Sequence, residues 1–240
     1  MTALSFLASD AAAVAARTPM HRLAIAAGAR TEARDGWEVA VSYSGDQRAR
    51  LTETVAFADR SALCKLELQA ESEALGALVS EASGGVVLQP RLATLSDAGV
   101  WWCPVAPARV LALCEPASAA ELRAAVAREA ERAPSTVTVA EVTSGLAAIT
   151  LAGPGAAELL ARFCAIDVRP ALTPVAGFRP GSIARTPGYL LREREDELLV
   201  MVGWALGAYL YEVVADAAGH LGGGPIGADA LAEHREAVRA

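Results

Sequence analysis

The chain has 240 residues, of which 53% are hydrophobic and 20% are charged, with a formal net charge of −7 at pH 7. This balance excludes an intrinsically disordered chain, because disorder requires few apolar residues and a high net charge. The 21 basic residues include a single lysine, Lys65, and form no dense basic patch, so we expect no nucleic-acid partner.

A mean hydropathy of +0.32 raises the question of a membrane span. The longest apolar stretch, Leu198–Tyr211, has 14 residues, fewer than the roughly 20 that a helix needs to cross a bilayer. We interpret it as a buried strand that continues into an amphipathic helix, and we expect no membrane association. The apolar run from Leu4 to Leu7 has no positively charged start and is followed by Asp10, so we expect no secretory signal and a cytoplasmic protein.

The first predicted element is a helix from Thr18 to about Ala27. Thr18 suits the N-cap position, and Gly28 suits the left-handed conformation that ends many helices. The alternating apolar residues at 39, 41 and 43 then predict a short strand that follows Trp37, which we interpret as a packing anchor.

From residue 65 onward the same order of elements occurs twice. A strand at 65–69 precedes a helix at 72–82, and a strand at 148–152 precedes a helix at 156–163. Two further strands and a helix then follow in both parts. In the first part the strands are at 100–105 and 109–114 and the helix begins at Ser118. In the second part the strands are at 188–192 and 197–202 and the helix is at 206–218. Ser118 and Glu121 have the spacing of a capping box. Corresponding positions are about 83 to 88 residues apart, which indicates a duplicated β-α-β-β-α unit.

The duplication predicts an α+β fold of two related halves, residues 1–134 and 135–240, with mainly antiparallel sheets and helices on their outer faces. Where two related sheets face each other, the seam is a natural place for a ligand, so we expect a central channel. After the glycines at 222–224 we predict a polar terminal helix, exposed to solvent as a tail.

Several catalytic motifs are absent. The cysteines at 64, 103, 114 and 164 have no CxxC spacing, so we interpret them as core residues and predict no metal site. Gly153, Pro154 and Gly155 precede a helix, but without a GxxxxGK[ST] or GxGxxG pattern they predict a tight turn instead of a phosphate loop. Neither a GxSxG nor an HExxH sequence occurs.

Two adjacent tryptophans, Trp101 and Trp102, lie on a predicted strand. Successive strand residues point to opposite faces, so one indole is expected in the core and the other at the seam. A flat indole at the seam would stack on a planar ligand, while core packing of both remains the alternative.

Five segments resemble, in order, the aminomethyltransferase or T-protein family of the glycine cleavage system, with its folate-binding and sarcosine-oxidase γ-subunit relatives. The segments are TPMHRLAIAAGARTEARDGWEVAVSYSGDQ, AFADRSALCKLEL, VTVAEVTSGLAAITLAGPGAAELLARF, ARTPGYLL with DELLVMV, and GGGPIGADALAEHRE. Together the resemblance covers roughly residues 18–236. It implies two related α+β domains around a folate channel and tetrahydrofolate as the cofactor.

The resemblance also implies roles for single residues. Glu197 matches the glutamate that grips the pterin ring through paired N–H contacts, although the residue could instead end the preceding turn in water. Tyr189 and Arg185 are placed near the pocket by resemblance only, and Trp101 or Trp102 would supply a stacking wall.

Two departures from the family bear on activity. The strand that carries the family's catalytic aspartate corresponds to residues 98–105, which contain no carboxylate, and Asp97 just before it is the nearest candidate. The resemblance also implies a C-terminal barrel domain after the matched region, and we expect this chain to lack it.

Three hypotheses follow. The first is a folate-binding, T-protein-like protein of one-carbon transfer or demethylation with altered chemistry. The second is a noncatalytic subunit of a sarcosine-oxidase-like complex with protein partners. The third is an enzyme that uses the former folate channel for an unrelated small molecule in specialised metabolism.

Overall fold

A computed structural model describes residues 15–238, and the segment considered as a signal, residues 4–10, lies outside this range. The strands are β1 (Ala16–Arg17), β2 (Arg30–Arg34), β3 (Trp37–Ser42), β4 (Ala56–Asp59), β5 (Cys64–Gln69), β6 (Thr94–Leu95), β7 (Trp101–Ala106), β8 (Arg109–Cys114), β9 (Thr138–Glu141), β10 (Leu146–Ala152), β11 (Phe178–Ile183), β12 (Thr186–Arg194), β13 (Glu197–Gly203) and β14 (Gly224–Pro225). The helices are α1 (His21–Ala26), α2 (Gln47–Thr52), α3 (Ser72–Ser83), α4 (Ala119–Arg132), α5 (Ala156–Ala161), α6 (Gly207–Gly219) and α7 (Ala228–Ala237). None of the helices within this range is both long and apolar enough to cross a membrane.

Two main sheets confirm the predicted duplication. Their strand orders are β6-β7-β8-β5-β9 and β11-β12-β13-β10-β4, the latter extended by β14. All pairings in these sheets are antiparallel except that of β14 with β4. The chain therefore has the predicted α+β fold, and each sheet contains more strands than predicted: β6 and β9 in the first, and β11, β4 and β14 in the second.

The two sheets also exchange strands. The strand β4 precedes the first unit along the chain but pairs with β10 of the second, and β9 precedes the second unit but pairs with β5 of the first. This exchange ties the halves together through backbone hydrogen bonds. The division between residues 134 and 135 stays a prediction.

Helices cover the outer face of each sheet. In the first unit Leu75 and Leu122 of α3 and α4 pack with Trp102 of β7, and in the second Leu159 and Leu210 of α5 and α6 pack on Ile149 of β10. The inner faces contact each other in a third apolar cluster. Because its side chains come from both sheets, packed apolar side chains occupy the seam between them.

The N-terminal region forms a small sheet of β1, β3 and β2. The predicted helix begins at His21, three residues later than expected, because the Thr18 hydroxyl bonds the Asp59 carboxylate at 2.5 Å instead of capping the helix. Ser118 likewise makes no side-chain cap, so the predicted capping box is wrong. The anchor Trp37 packs at a tilt on Trp204, with ring centroids 6.0 Å apart.

The terminal helix α7 is not a solvent-exposed tail, and that prediction is wrong. Leu231 is buried in a cluster with Leu51 and Ile226, and Asp229 pairs with Arg34 of β2. Gly227 allows this docking, since a Cβ there would lie 1.9 Å from the carbonyl oxygen of Val41. The helix is thereby held against the sheet, with Arg235 directed inward.

Candidate functional site

At one end of the seam the packing leaves a cavity of about 220 Å³, here called the seam cavity. Its apolar wall includes Trp101 and Leu113 of the first sheet and Leu199 of the second. Its polar wall is formed by Arg60, Glu115, Glu193, Arg194 and Arg235. The cavity thus joins an indole and aliphatic surface to a cluster of ionic side chains.

The ionic side chains are paired with one another. Arg235 donates from Nη2 to Oε2 of Glu193 at 2.8 Å and from Nε to Oε2 of Glu197 at 2.8 Å. Arg60 donates to Glu115 at 2.6 Å and lies 3.8 Å from Glu193. Burial alone would lower the pKa of Arg235, but the charges of Glu193 and Glu197 outweigh burial and raise it.

Glu197 is completely buried at the start of β13. Its Oε2 binds Arg235, while Oε1 lies 3.7 Å from Nε of Arg194 and has no hydrogen-bond partner within residues 15–238. The prediction that Glu197 ends a turn in water is therefore wrong. An unpartnered buried carboxylate oxygen is an acceptor that an N–H donor would satisfy.

The arrangement suits binding better than proton transfer. A general base must be free to take a proton from a substrate. Glu115, Glu193 and Glu197 each accept a hydrogen bond of 2.6–2.8 Å from an arginine, so none of these carboxylates is free of a protein partner. Within the described range no group of three His, Cys, Asp or Glu side chains could hold a metal ion.

The two tryptophans point to opposite faces of β7. Trp102 is 1% exposed and packs under α3 and α4, whereas Trp101 is half-buried and lines the seam cavity. The strand alternation therefore separates a core indole from one at the site. The Trp102 Nε1 has no hydrogen-bond partner in the part of the chain described.

Of the predicted site residues only Trp101 is in the lining of the seam cavity, and Asp97, Arg185, Tyr189 and Glu197 are not. Asp97 is exposed in the turn before β7. Arg185 is exposed in the tight turn between β11 and β12, with φ of 62°. Tyr189 lies in the seam, stacked on Phe178 with centroids 5.6 Å apart, and its hydroxyl accepts a 2.5 Å hydrogen bond from Arg109. It contributes to packing between the sheets and is not in the cavity lining.

Arg60, Glu115, Glu193 and Arg235 were not predicted as site residues. They come from four distant parts of the chain, and each has an ordinary polar neighbourhood in sequence. The sequence contained one indication of this cluster, because Glu193 and Glu197 flank the same predicted hairpin turn and would therefore lie close together.

One cysteine lines the cavity and lies beside a second. Cys114 lines it and lies directly opposite Cys64 on the neighbouring strand. A hydrogen bond from the Cys114 thiol lowers the pKa of Cys64 to about 7. All four cysteines are buried and free.

The only lysine of the sequence lies beneath the site. Lys65 is fully buried, and its Nζ donates to the backbone carbonyls of Ser61 at 2.8 Å and Leu63 at 2.9 Å. Burial lowers the pKa of Lys65 to about 7. Burial also raises the pKa of nearby Asp59.

The lowered pKa of Lys65 predicts that the stability of the protein depends on pH. Between about pH 7 and the ordinary lysine pKa of 10.5, the unfolded chain holds a proton on Lys65 that the folded chain lacks, so folding is favoured as the pH rises. Relative to Lys65→Met, the wild-type free energy of unfolding should increase by up to about 1.4 kcal/mol per pH unit in this window. Urea denaturation at several pH values measures the difference, and parallel curves for the two proteins would contradict the prediction.

No family model and no curated protein sequence matches the chain. Among solved structures, a chain of heterotetrameric sarcosine oxidase from Corynebacterium sp. U-96 aligns with a TM-score of 0.61 and 21% identity, covering 86% of this chain and 96% of that one. The glycine cleavage system aminomethyltransferase T from Bartonella henselae aligns with a TM-score of 0.65 and 18% identity over 90% of this chain. This protein spans 60% of the length of that aminomethyltransferase. The resemblance found in the sequence is thus confirmed at the level of the fold: the chain has the T-protein-like fold shared by these two structures.

Proposed function

We propose that this protein binds a reduced folate through its pterin ring in the seam cavity, without carrying out ordinary aminomethyl transfer. The observation that carries the proposal is an indole wall, Trp101, in a cavity whose lining residues Arg194 and Arg235 also approach the buried Glu197. Glu197 is not itself in the lining, and its Oε1 has no hydrogen-bond partner within residues 15–238. A pterin has a flat face for the indole and N–H donors for the carboxylate. The shared fold and the family resemblance support the same ligand class.

The size of the cavity limits what it encloses. Pockets for whole small molecules usually measure about 300–1,000 Å³, and the seam cavity measures about 220 Å³. It would hold a ring system only, with the remainder of the ligand extending from the mouth past Glu115, whose side chain is 60% exposed.

The positions and partners of the carboxylates are the reason for proposing a chemistry different from aminomethyl transfer. No acidic residue lies on β7 where the family carries its aspartate, and Asp97 is in an exposed turn outside the cavity lining. The carboxylates that do adjoin the cavity are held by Arg60 and Arg235. We therefore propose that this chain binds the folate in one-carbon or demethylation chemistry and does not itself transfer protons.

Folate binding by calorimetry tests the proposal. We expect the wild type to bind tetrahydrofolate and Trp101→Ala to bind it about tenfold less tightly, because the stacking surface is lost. Glu197→Gln should also weaken binding, since an amide accepts fewer N–H contacts than a carboxylate.

Trp37→Ala is the matched control, since Trp37 is half-buried like Trp101 but does not line the cavity. It should leave folate affinity unchanged. Absence of folate binding by the folded wild type would refute the proposal.

A second proposal is a noncatalytic subunit of a larger oxidase or demethylase complex. The supporting observation is that the chain covers 96% of a chain from a heterotetrameric sarcosine oxidase. Exposed apolar side chains such as Val87, 69% exposed, and Leu172, 51% exposed, would then be covered by a partner. Sedimentation of the isolated protein tests this, because a stable, well-behaved monomer up to high concentration would count against an obligate subunit.

A further inference from the structure

A second and larger concavity lies at the other end of β7, away from the seam cavity. It measures about 860 Å³, within the range of small-molecule pockets, and we call it the side groove. It lies between α3, the hairpin that joins β7 to β8, and the chain segment that leads into β11. No residue is shared between its lining and that of the seam cavity.

The lining of the side groove is mainly apolar. Val87, Val105, Ile166, Leu172 and Phe178 contribute to it. On α3, the lining residues Ser72, Gly76 and Ser80 follow one another at intervals of four, so one small-residue face of the helix forms a wall. Such a surface would take the apolar body of a ligand.

The charges in the side groove differ from those in the seam cavity. Two cationic side chains, Arg91 and Arg179, line it, and neither lies within 4.0 Å of a carboxylate among residues 15–238. Nη1 of Arg179 donates to the carbonyl oxygens of Arg91 at 3.1 Å and Phe178 at 3.3 Å, and Nη2 donates to that of Leu172. Desolvation, together with the charge of Arg91, lowers the pKa of Arg179. The one acidic residue of the lining, Asp167, is already bound by Arg169.

The two neighbouring guanidinium groups, which have no acidic partner within the described residues, repel each other. An anion between them would offset that repulsion, and a guanidinium binds a carboxylate through paired hydrogen bonds. We propose that the side groove binds an amphipathic organic acid, with its carboxylate at Arg91 and Arg179 and its hydrocarbon body along α3. This site goes beyond the folate proposal and does not depend on it.

The test uses octanoate as the probe and octan-1-ol as its uncharged counterpart. Calorimetry with the wild type should show saturable octanoate binding, and octan-1-ol should bind at least about tenfold more weakly. Arg91→Met should weaken octanoate binding about tenfold. The Arg91 side chain donates no hydrogen bond within the described residues and its backbone φ of 68° is unchanged by the substitution, so the fold should persist.

Arg48→Met is the matched control, because Arg48 is exposed, lies outside the groove and is also unpaired in the part of the chain described. It removes the same charge and should leave octanoate affinity unchanged. Equal weakening by Arg48→Met would overturn the proposed contact with Arg91.

A steric variant tests the location independently of charge. A Cβ on Gly76 would meet no atom within 4 Å, so a side chain can be introduced at this position of the groove wall. Gly76→Phe places a large ring there, and Gly76→Ala controls for helix propensity. We expect Gly76→Phe to abolish octanoate binding and Gly76→Ala to retain it, with melting temperatures at least equal to the wild type.

The proposal is overturned if the wild type does not bind octanoate, if octan-1-ol binds equally well, or if Gly76→Phe retains full affinity. If octanoate fails to bind and sedimentation shows a dimer that Gly76→Phe dissociates, the groove is a protein interface and the proposal is overturned.

Discussion

Replacement of Arg235 by methionine is expected to lower the free energy of unfolding by about 3–5 kcal/mol. The guanidinium lies between Glu193 and Glu197, with nitrogen–oxygen distances of 2.8 Å to both, and both carboxylates are nearly or fully buried. Removing the cation leaves two buried negative charges with reduced compensation, which is more costly than the loss of an exposed ion pair. Chemical denaturation monitored by circular dichroism measures the change.

Arg162→Met provides the comparison, because Arg162 pairs with Glu158 on the surface of α5 at 3.2 Å. That variant should lose no more than about 1 kcal/mol. Combining Arg235→Met with Glu197→Gln should recover part of the lost stability, since one of the uncompensated charges is removed. Equal losses for the two arginine variants would show that the Arg235 cluster is no more than a surface network.

Truncation of the two adjacent tryptophans should have very different effects. Trp102→Ala should cost about 3–5 kcal/mol, because Trp102 is 1% exposed and its removal leaves a cavity beneath α3 and α4. Trp101→Ala should cost clearly less, because its indole is only half-buried and borders an existing cavity.

The same denaturation experiment compares the two variants, and calorimetry with tetrahydrofolate separates their functions. Trp102→Phe is a useful third variant, since it keeps an aromatic ring in the core and removes the buried N–H that has no partner within residues 15–238. It should be far less damaging than Trp102→Ala. Similar losses for Trp101→Ala and Trp102→Ala would contradict the assignment of the two faces of β7.

Local patterns predicted the hairpin strands well. The predicted strand at 109–114 and the observed β8 coincide, and β13 extends the predicted 197–202 by one residue. These strands are buried, apolar and bounded by turns, so their signal lies within a few residues. Two edge strands, β6 and β11, were missed because β6 has two residues and β11 contains Pro180 and Gly181, which interrupt the usual strand composition.

The terminal helix shows where local patterns fail. A polar composition predicted solvent exposure for α7, yet Asp229 binds Arg34 and Arg235 binds Glu197, each from a distant part of the chain. Polar residues identify a helix face as hydrophilic, but they do not show whether water or an opposite charge will satisfy it. Arg235 therefore could not be recognised as a site residue before the partners were placed.

By itself the sequence determined the duplicated order of elements, the α+β class and the separation of Trp101 from Trp102, because all three depend on periodicities of two or about four residues. Tertiary structure decided the exchange of β4 and β9 between the sheets and the convergence of Arg60, Glu193 and Arg235 on one cavity, with Glu197 bound to Arg235. The reason is that strand pairing and ion pairing join residues far apart in the chain. Their partners are selected by the packing of the whole fold, which no short segment encodes.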